Sequence, residues 1–134
     1  MAEGLTTWDR GDGPGEDDVA LAEEGVFSFY LGELRARAWL AAHPEKHSSE
    51  EAQGLATFYE LGNHPINGWA FGDPEGLAAI VERVLAHDRA NPDPAIPADV
   101  MDQTRAGFKS FRLQILEQAD EIRADRIAAG AEVR

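Results

Sequence analysis

Cysteine is absent from these 134 residues, which excludes disulfides, thiol catalysis, cysteine-ligated zinc and iron–sulfur clusters. Lysine is scarce as well. Lys46 and Lys109 are the only two, and arginine carries the remaining positive charge. Cations are outnumbered, with 12 Lys and Arg against 25 Asp and Glu, for a formal net charge of -13. That charge repels a nucleic-acid backbone and an anionic membrane surface, so neither is expected as a partner. It suits a highly soluble chain, or one that meets a basic surface on another protein. No apolar run approaches the ~20 residues of a membrane helix. Met1 to Trp8 has no basic start followed by an apolar run, so no signal peptide is expected. The compartment expected from these absences is the cytoplasm.

Alternating strand patterns of useful length are also missing, as are internal repeats. What remains is helical periodicity. The expected fold is all-α: about four helices in an irregular bundle, with a long C-terminal helix and a flexible N-terminal arm. Residues 1–16 form that arm, flexible or draped on a partner, and 17–134 form a single helical domain. The arm contains Gly-Asp-Gly-Pro-Gly-Glu-Asp-Asp over 11–18 and little to bury. Trp8 is its exception, and an indole of that size is expected to dock on this chain or another.

From about Asp17 to Ala42 the spacing predicts a helix. Val19, Val26, Phe27, Tyr30, Leu31, Leu34, Ala38 and Ala41 share one broad face, while Phe29, Trp39 and Leu40 lie on the other. Apolar groups on both sides predict coverage on more than one face, either by a central place in the bundle or by a partner subunit. His43-Pro44 ends this helix. Ser48 and Glu51 read as a capping box opening a short helix to about Leu61, with Ala52, Leu55, Phe58 and Tyr59 inward and Gly62-Asn63 as its stop. Residues 62–73 then read as a loop carrying Ile66, Trp69 and Phe71, large apolar groups that need a site. Asp73-Pro74 starts a third helix that runs to Ala90, with Leu77, Ile80, Val81, Val84 and Leu85 on one face. Asn91-Pro92 closes it, and 93–97 form a stiff, extended, proline-rich connector.

The last segment, Pro97 to Ala129, reads as one amphipathic helix. Val100, Thr104, Phe108, Phe111, Ile115, Ala119 and Ile122 form its stripe, and Gly130 stands where such a helix stops. A helix of about 30 residues is roughly 45 Å long, whereas a compact chain of this size is about 37 Å across. The helix is therefore expected to outrun its own globule, with something outside the chain covering the excess. Leu113, Leu116 and Ile127 fall off the stripe and predict a second contacted side.

Chemistry is hard to find. His43 and His47 are four apart, but Pro44 follows His43 and no third ligand is fixed by spacing, so a solvated connection outweighs a metal pair. His87 suits the negative end of its helix and has no nucleophile beside it. His64, before Pro65, either bonds a backbone carbonyl in a buried turn or contacts a partner. Walker, nucleophile-elbow and His-Glu-x-x-His patterns are absent, and the carboxylates read mostly as solvated helix faces. No catalytic, cofactor-binding or metal residue is expected on this chain. Trp39, Trp69 and Phe71 are not all readily placed in the core, and tryptophan is enriched at interface hot spots. With His64, Leu113, Leu116 and Ile127 they are the candidate partner interface.

His43-Pro44-Glu45 closing a long first helix, His64-Pro65 after a short segment, and Trp69-Ala70-Phe71 leading into a helix are the distinctive parts. A proline-containing connector and a charged final helix ending Arg123-Ala124-Asp125-Arg126 follow. Over roughly residues 27 to 129, this order resembles the small, all-helical subunit of N,N-dimethylformamidase. The resemblance implies an accessory subunit of a hetero-oligomeric, amide-hydrolysing complex, with iron and the catalytic residues on the large subunit. The expected function is thus a non-catalytic small subunit that stabilises a larger catalytic chain. The alternative from another class is a free-standing acidic inhibitor or immunity-type protein that masks a basic surface.

Overall fold

A computed structural model describes residues 16–134, with the side chains of Glu16 and of 60–64 left out. The expected arm, and Trp8 within it, lie outside the described residues. All the regular structure that is described is helical: α1 (Glu16–Ala42), a 3-10 turn (Pro44–Lys46), α2 (Glu50–Ala70), α3 (Pro74–Ala90), α4 (Ala98–Glu117) and α5 (Ala119–Ala128). No helix among the described residues is long and apolar enough to cross a membrane.

The apolar stripes meet as their spacing requires. Helix α3 buries Leu77, Ile80, Val81, Val84 and Leu85 against α1 and α4. Helix α4 contributes Met101, Phe108 and Ile115. Helix α1 is central. It lies against α2, α3 and α4 and buries Val26, Phe29, Tyr30, Leu34 and Ala38. Its two apolar sides are therefore covered by this chain's own helices, which removes α1 as an argument for a partner.

Local signals fix most boundaries. Helix α1 stops at Ala42, before His43-Pro44. Asp73 caps α3, its Oδ1 accepting from Gly76 N at 3.1 Å with Pro74 in the first turn. Helix α5 ends in a Schellman turn. Gly130 has φ 73° and donates to Ile127 O, and Ala131 N donates to Arg126 O at 2.8 Å.

Four expectations need correction. The cap of α2 is Ser49, whose Oγ accepts from Ala52 N, one residue beyond the Ser48 capping box. Helix α2 then runs through Gly62, Asn63 and Pro65 to Ala70, where a stop and a loop were expected. Helical continuation is what buries Ile66 and Ala70 in the core, at 1% and 2% exposure, and that burial overrides the weak local formers. The final stripe is two helices, interrupted at Gln118 (φ -101°, ψ 8°). Helix α5 lies against α3, where Arg123 pairs with Glu75, so this chain covers part of what was expected to be excess. Finally, 93–97 make a turn: Ala95 N donates to Asp93 Oδ1 at 2.9 Å, and Ile96 tucks into the core.

Candidate functional site

Helix α1 presents Tyr30, Glu33 and Arg37 along one side, a spacing of three and four residues that stacks them on one face. On one flank this face meets Asn67 of α2 and Gln103–Phe111 of α4 around a cleft of about 450 Å³. On the other flank Leu55, Ala56 and Tyr59 of α2 enclose a second cleft of about 360 Å³. Glu33 and Arg37 belong to both clefts and form the ridge between them. Arg37 donates from Nη2 and Nε to one oxygen of Glu33, at 3.0 and 3.3 Å. The Glu33 side chain is only 13% exposed against 64% for Arg37, so the pair is a sunken anion under an outward cation.

Two phenols flank that anion. Tyr30 donates its hydroxyl to Asn67 Oδ1. Its pKa is pushed far above 10, first by burial and then by the Glu33 charge, with the Asn67 bond pulling the other way. Burial, and again Glu33, raise Tyr59. Both phenols are therefore neutral at physiological pH: they donate hydrogen bonds and cannot act as bases. The Tyr59 hydroxyl rests over Gly32, where an added Cβ would stand 2.5 Å from it. Rings continue through the bundle, with Phe29 5.3 Å from Tyr59 and Tyr30 6.0 Å from Phe111. The clefts thus have aromatic walls and a polar rim, which suits an inserted apolar side chain with hydrogen-bonding groups at its base.

Two of the histidines serve the end of α1. His43 Nδ1 donates to Trp39 O at 2.8 Å and His47 Nε2 to Leu40 O at 2.6 Å, satisfying carbonyls in the last turns of α1. His87 meets Phe27 edge-on, with centroids 5.7 Å apart. Among the described residues, no three His, Asp or Glu side chains gather as a metal site.

The seven candidate interface residues divide. Trp39, Trp69 and Phe71 are half-buried and pack against the core. Trp39 stacks on His43 at 4.7 Å, Trp69 lies under the Arg134 guanidinium, and Phe71 meets Phe111 edge-on. Leu113, Leu116 and Ile127 are exposed by 46%, 39% and 68%. His64 belongs to α2 rather than a loop, and its side chain lies outside the described residues. Phe58, expected inward, is 60% exposed, and Leu21 is 58% exposed.

Besides the Glu33 ridge, sequence reasoning missed a buried ionic cluster. Asp88 of α3 has no exposure at all, and its carboxylate accepts from Arg35 of α1 at 3.3 Å and Arg105 of α4 at 2.8 Å. Arg35 also donates to Asn91 O at 2.9 Å, at the end of α3. Those partners lie 53 and 17 residues away in sequence, so no local pattern marks them.

The geometry of the described residues defines a class, an all-helical bundle with clefts on both flanks of its central helix and outward apolar groups on its last helices. Comparison with family models, with curated proteins and with solved structures finds no match to this chain.

Proposed function

We propose that this chain is a non-catalytic helical subunit that packs on a larger catalytic chain and stabilises it, docking through the outward side of α4 and α5. The observation that carries this is the pair Leu113 and Leu116. They lie three residues apart on a helix whose other large apolar groups are buried or half-buried, yet they are 46% and 39% exposed, with Ile127 68% exposed on the next helix. Leu113 sits about 200° around α4 from the cleft residue Phe111, so α4 offers one side to its own bundle and another to solvent. Two leucines at helical spacing are worth about 2 kcal/mol each once fully buried. The neutral phenols of the clefts are in keeping with a chain that binds rather than reacts.

The partner's chemistry comes from the resemblance alone. A relationship to the dimethylformamidase small subunit makes the partner an amide-hydrolysing large chain that holds the iron. Co-expression with the large open reading frame beside this one tests both points. A stable complex of fixed stoichiometry, with amide hydrolysis that needs both chains, is the expected result. A large chain that folds and turns over without this one would overturn it.

A second reading, an acidic protein that masks a basic surface, is favoured by how the cations are used. Arg35, Arg37, Arg83, Arg105, Arg112 and Arg123 each hold a carboxylate of this chain, so the surplus negative charge is what remains to face outward. Salt separates the two. An electrostatic mask loses affinity as ionic strength rises, and apolar docking does not.

A further inference from the structure

We infer that the corner between α2 and α3 is a recognition site for a peptide arginine, and that Arg134 is its resident ligand. Helix α2 ends at this corner in a turn, with Trp69 O accepting from Gly72 N and Ala70 O from Asp73 N, each at 3.1 Å. Arg134 adds to that turn with both its main chain and its side chain. Its backbone N donates to Gly72 O at 2.7 Å, and its Nη1 donates to Trp69 O at 2.5 Å. The guanidinium lies over the Trp69 ring with Cζ 3.8 Å from the centroid, a cation–π contact. Glu132 Oε1 accepts from the same Nη1 at 3.2 Å. A small cavity of about 30 Å³ beside the guanidinium has a mostly apolar lining, with Glu23 and Asp73 as its two carboxylates.

The seat is shaped for this occupant. Gly72 is buried, and a Cβ added there would stand 2.6 Å from Arg134 Nη1, 3.1 Å from Trp69 O and 3.2 Å from Glu132 O. Only the absence of a side chain at 72 lets the segment lie so close. Arg126 holds the approach, donating to Gly68 O at 3.0 Å and to Glu132 O at 2.8 Å. A flat fork that stacks on an indole while donating to a carbonyl in its plane is an arginine property, and lysine lacks it. The main-chain bond to Gly72 adds that the ligand is an arginine residue of a peptide, not a free guanidinium ion. Once Arg134 leaves, the same seat takes an arginine from a partner chain, and the net charge of -13 favours the approach of a basic segment. The inference stands on the corner alone and does not need the outward side of α4 and α5.

The test uses the full chain in a Trp8→Phe, Trp39→Phe background, so that Trp69 is the sole tryptophan and is excited apart from the two tyrosines. Arg134→Ala should raise acrylamide quenching of Trp69 by about twofold or more as the cation leaves the ring. Nα-acetyl-arginine N-methylamide in the tens of millimolar should then restore protection, and the lysine analogue should not. The parent chain, with its seat filled, should respond to neither. Arg134→Lys keeps the charge and lacks the fork; it should behave like the alanine variant and guards against a fold change in either. Unchanged quenching on loss of Arg134 would overturn the inference. So would equal protection by both amides, or protection by neither.

Discussion

Arg105 Nε donates to Asp88 Oδ2 at 2.8 Å, and the carboxylate it holds has no solvent exposure. With Arg35 on the other oxygen, one anion ties the end of α3 to both α1 and α4. A charge buried this way is costly to strand and cheap only when paired.

Asp88→Ala removes the acceptor that Arg35 and Arg105 share, although Arg35 keeps Asn91 O and Arg105 keeps Asp102, and should destabilise the chain by about 2–3 kcal/mol. Arg35→Ala should cost less, near 1 kcal/mol, because the Arg35 side chain is 35% exposed and Arg105 still holds the carboxylate. Urea unfolding with unchanged m-values measures both. A cost below about 0.5 kcal/mol for Asp88→Ala, the range of ordinary surface positions, would contradict the clamp.

Two helical glycines should respond with opposite signs. Gly54 of α2 has open space around an added Cβ, so Gly54→Ala should stabilise by about 0.5–1 kcal/mol through helix propensity. Gly32 of α1 has the Tyr59 hydroxyl in that space, and Gly32→Ala should destabilise by about 0.5–1 kcal/mol as the phenol is pushed from its place beside Phe29. Tyr59→Phe removes the obstructing oxygen. The double variant should recover most of the loss, and strict additivity would show that the close approach does not matter.

Alkaline pH should weaken the fold through the tyrosines. Tyr30 and Tyr59 have pKa values raised above the ordinary 10.0, so above about pH 10 the unfolded chain releases phenolic protons that the folded chain keeps. Their neutral burial contributes fully below that pH and is lost as pH rises through the folded values. Tyr30→Phe should flatten the alkaline fall of the melting temperature. An unchanged slope would place Tyr30 in a more solvated setting than the cleft provides.

How far the sequence reaches depends on whether a feature is local. His43-Pro44, Asp73-Pro74, Asn91-Pro92 and Gly130 mark helix ends through caps, prolines and one left-handed residue, and the helices end there. The buried face of α3 follows from its spacing alone. The continuation of α2 past Gly62 and Pro65 does not, because burial of Ile66 and Ala70 decides it against local preference. Gln118 is an ordinary helix former and gives no sign of the interruption it carries. The Asp88 clamp and the Glu33 ridge are equally silent, since their partners come from other helices. Of the candidate interface, Leu113, Leu116 and Ile127 stand out from the stripe in the sequence and are exposed in the structure. Phe58 misleads, because Ala52, Leu55 and Tyr59 of the same expected face turn inward while Phe58, at its edge, is 60% exposed.

Leu113→Lys, Leu116→Lys and Ile127→Lys should each leave stability within about 0.5 kcal/mol, as exposed positions do. Thermal melting of the three single variants checks this. A loss of several kcal/mol would return these residues to the core and remove them as a docking face.

The most direct test of a docking subunit is the association state of the pure chain across salt. Sedimentation at micromolar to hundred-micromolar concentration, in low and high salt, should show self-association that survives high salt and disappears in the Leu113→Lys, Leu116→Lys, Ile127→Lys triple variant. A chain that stays monomeric throughout, and binds its partner only at low ionic strength, would contradict apolar docking and identify an electrostatic mask instead.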